Sequence, residues 1–264
     1  MAIRVVVNGA LGRMGEQVVH TVLAQPDMKI VGAVEVQASQ PYFPAPECSE
    51  LIPFSSDLGS LLERVQPDVV VDFTRAQVAL EACRVALPLG VNVVSGTTGL
   101  GENELSEIGQ LCDSSGKCAV VAPNFSLGVV VLMHLAKIAA RYFDNVEIIE
   151  MHHDKKLDAP SGTALATARL LAEAKGKPFV YPATEREVLP SVRGGQVDGV
   201  AIHSVRVPGI MASQEVIFGG QGQTLSLRHD VTSRESYMPG VMMAVRESVK
   251  RRGLIVGLDK ILEL

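Results

Sequence analysis

Ile3-Arg-Val-Val-Val-Asn-Gly9-Ala-Leu-Gly12-Arg-Met-Gly15 joins a β-branched run to three evenly spaced glycines, and an amphipathic stretch from Met14 to Ala24 follows. Strand, glycine turn and helix in that order let a backbone approach a pyrophosphate, with the helix N-terminus supplying oriented N–H groups. The spacing is GxxGxxG rather than GxGxxG, so the turn needs support from its surroundings. Lys29–Val34 reads as a second strand, and Glu35 ends it twenty residues after Gly15. A carboxylate there can accept hydrogen bonds from both hydroxyls of an adenosine ribose.

Outward from this stretch, short apolar runs alternate with helical patterns as far as about Val121. Leu58–Val65, Val78–Leu87 and Glu102–Cys112 read as helices; Asp68–Phe73, Val91–Ser95 and Ala119–Ala122 read as buried strands. Continuous Val/Ile runs separated by helices indicate a parallel sheet covered on both faces. The proline-rich piece 41–53 reads as a surface loop. Beyond Met151 the rhythm changes. A helix from Ser161 to about Ala174 ends at Gly176 and Pro178. The runs Gly199–Val207, Gln214–Phe218 and Gln223–His229 are strand-like, and Gly219-Gly220-Gln221-Gly222 is a hairpin signal. A helical tail from Pro239 to Arg252 is expected to return to the first domain. The fold class is therefore α/β: a Rossmann-type parallel-sheet domain (1–124 and 234–264) plus a smaller α+β domain (125–233) with a mostly antiparallel sheet.

Composition narrows the function. The chain has 264 residues, 47% hydrophobic and 20% charged, with a formal net charge of -5. Its only tight basic cluster, Lys250-Arg251-Arg252, reads as the solvated end of a helix, so a nucleic-acid surface is not expected. Four cysteines in no CxxC pair point to free thiols in a reducing compartment. Neither a signal peptide nor an apolar run long enough for a membrane span is evident, and a cytoplasmic location is expected.

The second chemistry-bearing stretch is Glu150-Met-His-His-Asp-Lys-Lys-Leu-Asp-Ala-Pro-Ser-Gly-Thr-Ala164. It combines imidazoles for proton transfer, ammonium groups, and a helix start with Ser161 as N-cap, whose free N–H groups suit a carboxylate. On an extended segment His152 and His153 point opposite ways, so one can face a reaction centre while the other holds the substrate. Lys156 lies a turn away. His134, His203 and His229 are scattered, and no third ligand stands at a metal spacing; no metal is expected. Gly96-Thr97-Thr98-Gly99 and Ala122-Pro123-Asn124-Phe125 follow strands, at the edge where open parallel sheets bind ligands. Glu35 repels the 2′-phosphate of NADPH, and Val36 supplies no offsetting cation, which favours NADH; Arg13 and Arg75 are the cations that could reverse this.

The GAxGRMG start, Asp72-Phe73-Thr74, the GTTG and APNFSxG turns and, above all, the E-x-H-H-x-x-K-x-D-A-P-S-G-T-A block resemble the 4-hydroxy-tetrahydrodipicolinate reductase (dihydrodipicolinate reductase) family of the diaminopimelate route to lysine. The resemblance runs from Arg4 to the C-terminus. It implies NADH or NADPH as cofactor, a small dicarboxylate as substrate and a homotetramer. His152 and Lys156 would then donate the proton, and His153 with Ser161, Gly162 and Thr163 would bind substrate carboxylates. Gly9, Ala10, Leu11, Gly12, Arg13, Met14, Glu35, Gly96, Thr97, Thr98, Ala122, Pro123, Asn124 and Phe125 would line the cofactor. Arg234 is a weaker correspondence to a substrate-side arginine. Two positions depart from the family pattern: Ala76 stands where proline is frequent, and Val36 where members with dual cofactor use carry arginine. Other readings of the chain are a related Rossmann dehydrogenase of a small amino or keto acid, or a non-catalytic NAD(H) sensor.

Overall fold

The computed structural model describes every residue except Pro46, Glu47 and Ser49. The chain runs β1 (Ile3–Asn8), α1 (Arg13–Leu23), β2 (Met28–Val34), β3 (Tyr42–Phe43), β4 (Ile52–Ser55), α2 (Leu58–Val65), β5 (Val69–Asp72), α3 (Ala76–Ala86), β6 (Asn92–Ser95), α4 (Glu102–Ser115), β7 (Cys118–Val121) and α5 (Leu127–Ala139). It continues through β8 (Asn145–His152), α6 (Gly162–Lys175), β9 (Gly195–Val197), β10 (Val200–Arg206), β11 (Ala212–Gly220), β12 (Gln223–Val231), α7 (Met238–Ser248), β13 (Gly253–Val256) and α8 (Asp259–Leu262). Contacts divide it into two compact units, 1–126 with 237–264, and 127–236.

The first unit is built on an eight-stranded sheet of order β13-β7-β6-β5-β1-β2-β4-β3, parallel except for β3. Its strands are buried on both faces, as Val5–Val7, Val69–Val71 and Val93–Val94 show, which is why they read as unbroken β-branched runs. Leu61, Leu62, Cys83, Leu87, Ile108 and Cys112 pack from the helices onto one face. Burial pushes the Cys83 and Cys118 thiols up to about 12, so neither is a nucleophile near neutral pH.

Two expectations for this unit need correction. The stretch 41–53 is not simply a loop: Tyr42 and Phe43 pair antiparallel with Pro53 and Ile52, and Phe43 packs edge-on against Phe54. Part of that stretch (Pro46, Glu47 and Ser49) lies outside the described residues. The helical tail stops at Ser248 rather than Arg252, because Gly253 takes φ +81° and the next residues pair parallel with β7. That extra strand was not foreseen. Ala76 opens α3 after an extended Arg75.

The second unit holds a five-stranded sheet of order β12-β11-β8-β10-β9, in which only β10 and β8 run parallel. The β11–β12 hairpin closes at Gln221-Gly222, with Gly222 at φ +70°. Helices α5 and α6 supply Leu132, Ala136, Ala164, Ala168 and Leu171, which meet Val146, Ile148, Val216 and Phe218 of the sheet. Neither α5 nor the central strand β8 was assigned from sequence.

Candidate active site

At the carboxyl ends of the parallel strands, order reverses between β1 and β5, the place where open α/β sheets bind ligands. Gly9 leaves β1 at φ +75°, a conformation that favours glycine. The N–H groups of Gly9 and Ala10 both donate to the Val34 carbonyl, at 2.9 and 3.0 Å. A side chain at Gly15 would collide with the Gly9 carbonyl oxygen, so α1 can start this close to the turn only with glycine there. Gly12 is the N-cap and provides no side-chain cap. The first-turn N–H groups therefore keep their capacity for an anion. Leu11, Gly12 and Arg13 are exposed, Met14 is half-buried and Ala10 is core.

Glu35 directly follows β2; its N–H donates to Ser55 at 3.1 Å, and its carboxylate accepts from Val36 N–H at 3.0 Å. Val36 itself is 79% exposed. A glycine cradle, an uncapped helix start and an acid after the second strand fit a nicotinamide adenine dinucleotide: N–H groups for its pyrophosphate and a carboxylate for its adenosine ribose.

Asp72 ends β5 and is fully buried. Asn8 Nδ2 donates to it at 2.7 Å, Thr74 Oγ1 at 2.8 Å and Thr97 Oγ1 at 2.9 Å. One carboxylate thus ties the turns after β1, β5 and β6 together. Burial raises its pKa, while the bonds from Thr74, Thr97 and Asn8 pull the other way without reversing the shift. Thr97 spends its hydroxyl here, whereas Thr98 is exposed. A side chain at Gly96 would strike the Phe73 ring. Ala122 and Phe125 are buried, and the Phe125 ring lies 5.8 Å from that of Phe73. Pro123 is exposed, and Asn124 Oδ1 accepts from Ser126 N–H at 2.9 Å. Within both turns, then, some of the expected cofactor residues are the packing beneath the surface that others present.

In the second unit the catalytic candidates centre on Glu150, which the sequence reading left without a role. Strand alternation puts Glu150 and His152 on one face of β8. Their sheet neighbours are Ser204 and Gln214 for Glu150, and Arg206 and Ala212 for His152. Glu150 is completely buried. Arg206 grips it end-on, Nη2 to Oε1 at 2.7 Å and Nη1 to Oε2 at 3.0 Å. His152 Nδ1 lies 2.5 Å from Oε2, and Ser161 N–H donates to Oε1 at 3.3 Å. Burial favours the neutral acid, but hydrogen bonds from His152, Arg206 and Ser204 outweigh it and hold the carboxyl at about 2. An ionised carboxylate only accepts, so this contact suits an imidazole that carries a proton on Nδ1, with Nε2 on the far side of the ring.

Ser161 Oγ accepts from Ala164 N–H at 3.2 Å and caps α6. Gly162 is exposed with open space beside it, and Thr163 is half-buried. Arg206 Nη2 also donates to the Asp158 carbonyl at 2.7 Å, and Lys156 Nζ pairs with the Asp158 carboxylate at 2.7 Å. His152, Lys156 and the Ser161 turn are thereby linked through Glu150, Arg206 and Asp158. His153 is exposed, and Arg234 lies in a separate single turn, Arg234–Tyr237. Among the described residues no group of three or more His, Cys, Asp or Glu is placed to hold a metal, and no helix is long and apolar enough to cross a membrane.

The strand order, the glycine turn and the acid after the second strand define a dinucleotide-binding fold of the oxidoreductase type, joined to an α+β unit that carries a carboxylate-anchored histidine. The chain belongs to the dihydrodipicolinate reductase family: residues 3–125 match the profile of its N-terminal part and residues 128–262 that of its C-terminal part. It is 49% identical over 262 residues to a 4-hydroxy-tetrahydrodipicolinate reductase of Dehalococcoides mccartyi, covering 99% of each chain. A dipicolinate-bound dihydrodipicolinate reductase from Paenisporosarcina sp. TG-14 superposes with a TM-score of 0.90 at 40% identity, over 99% of this chain and all of the other. An amine dehydrogenase of Mycobacterium smegmatis, at 17% identity and a TM-score of 0.70 over 98% of this chain and 96% of that one, shares the fold alone.

Proposed function

We propose that this chain reduces 4-hydroxy-tetrahydrodipicolinate, by way of dihydrodipicolinate, to tetrahydrodipicolinate in the diaminopimelate route to lysine. It is an NAD(P)H-dependent oxidoreductase. The observation that carries the reading is the buried Glu150 carboxylate, which joins the His152 imidazole to the Ser161 helix start inside a full-length family match.

The turns of residues 9–14, Gly96–Thr98 and Ala122–Phe125, together with Glu35, hold the dinucleotide, with Ala10, Thr97, Ala122 and Phe125 as the packing beneath the contacting surface; the dinucleotide supplies a hydride when bound. The N–H groups of Gly162 and Thr163 and the side chains of Ser161, Thr163 and His153 take the substrate carboxylates. The hydride goes to C4 of the ring and a proton to C3, so the electron pair freed at C3 needs an acid beside it. His152 Nε2 delivers that proton, and Lys156 assists while offsetting the negative charge of the dicarboxylate. Glu35, with Val36 beside it instead of a cation, favours NADH. The site works in a homotetramer in the cytoplasm, assembled through the antiparallel strands of the second unit.

The test is oxidation of NADH and of NADPH when the substrate is generated in place by a synthase given pyruvate and aspartate semialdehyde. Synthase-dependent loss of reduced cofactor, faster with NADH, is expected. No loss above the synthase-free control with either cofactor would overturn the assignment.

A further inference from the structure

The reading of His152 as proton donor leaves open what holds it in its working state. To give up a proton from Nε2 and finish neutral, the ring must first carry protons on both nitrogens, and the Nδ1 proton then needs an acceptor. Glu150 Oε2, at 2.5 Å, is that acceptor. The same carboxylate receives the Ser161 N–H at 3.3 Å, and the Arg206 fork, at 2.7 and 3.0 Å, stops it from rotating. A planar guanidinium bonded to both oxygens leaves the carboxylate one orientation.

We propose that Glu150 and Arg206 are positioning residues for proton delivery: they fix His152 as the Nδ1–H tautomer and hold it in register with the Ser161 helix start. This rests on the assignment of His152 above. Arg206 has a second effect. It neutralises Glu150, so the carboxylate orients the imidazole and accepts its Nδ1–H hydrogen bond without placing a net negative charge beside a dianionic substrate.

Glu150→Gln separates this from a purely structural role. The variant amide has one oxygen and one NH2 for two places. At the Oε1 place the NH2 would face two fixed donors, Arg206 Nη2 and Ser161 N–H; at the Oε2 place it faces one fixed donor, Arg206 Nη1, and a histidine that can change tautomer, while the Ser204 hydroxyl can rotate to donate or accept. The amide therefore turns its NH2 toward His152, Nδ1 becomes an acceptor, and the ring proton moves to Nε2. The doubly protonated ring is then opposed by a donor at Nδ1.

The experiment is nitrogen-15 NMR of histidine-labelled protein, with His152→Gln to assign the signal, alongside steady-state kinetics. In the unsubstituted protein the neutral His152 ring is expected as the Nδ1–H tautomer; in Glu150→Gln it is expected as Nε2–H. The expected kinetic change is a fall in kcat on the order of a hundredfold or more, with the KM for NADH within about twofold. An Nε2–H tautomer in the unsubstituted protein would overturn the proposal even if Glu150→Gln fails to fold. If His152→Gln loses turnover while Glu150→Gln keeps it, the positioning role alone falls. If His152→Gln keeps full turnover, the donor assignment falls and the positioning role with it.

Discussion

The Asn8 side-chain nitrogen lies 2.7 Å from Asp72 Oδ1, and this bond joins the carboxyl ends of the two strands between which the sheet order reverses. Asp72 has only neutral donors around it, so its ionised form is held by dipoles alone, and burial raises its pKa above 3.8. An acid with a raised folded pKa stabilises the fold most while protonated. Its contribution is full below 3.8 and declines as pH rises through the folded value. Asp72→Asn should remove that decline, with Asn8 turning its amide to offer an oxygen. Asp72→Ala strands three donors and should cost roughly 3 kcal/mol. Urea midpoints across pH check both, and identical pH slopes with and without Asp72 would contradict the shift.

Glu150 gives the opposite sign. Its carboxyl is held at about 2, against an ordinary value of 4.5. Its contribution is complete above 4.5 and lost as pH falls toward about 2, a span worth about 3 kcal/mol. Acid unfolding of Glu150→Gln should be less steep across that interval.

Gly15→Ala drives a β-carbon into the Gly9 carbonyl, and neither backbone can yield without opening the turn. A stability loss of roughly 1–3 kcal/mol is expected, with a larger loss in dinucleotide affinity. Thermal unfolding with and without NADH separates the two effects.

Gly162→Ala is the contrasting case, since nothing lies within 4 Å of the added methyl. The apo melting temperature should not fall, because alanine suits a helix better than glycine. The methyl nevertheless occupies the approach to the α6 N-terminus, so the KM for the dicarboxylate should rise about tenfold or more. An unchanged KM would remove this turn from substrate binding.

Val36→Arg places a guanidinium next to Glu35, on a side chain that is 79% exposed. The ratio of kcat/KM for NADPH to that for NADH should rise by about tenfold, mostly through the KM for NADPH. A ratio that stays put would locate cofactor choice elsewhere.

Much of the first unit is legible in the sequence because each of its strands is apolar on both faces: Val69–Val71 and Val93–Val94 can be little else. The second unit is harder, and β8 shows why. Its inward row is Val146, Ile148, Glu150, while Ile149 lies on the other face. The apolar alternation therefore breaks where the Glu150 carboxylate is buried, and a period-two reading fails there. Helix α5 hides for a different reason: Leu127–Ala139 is apolar nearly throughout and includes Val129-Val130-Val131, so periodicity cannot separate helix from strand. His152, Lys156 and Ser161 could be picked out by residue type and spacing. Arg206 could not, because its partner lies 56 positions away.

Strand β13 closes the open side of β7, yet residues 253–256 follow the whole of the second unit in sequence. On the ribosome the dinucleotide unit therefore waits with an unpaired parallel edge while residues 127–236 are made and have time to fold. The unit that begins first finishes last. A nascent chain stalled before Gly253 should carry a finished second unit beside a first unit that is prone to stick to other unpaired strands.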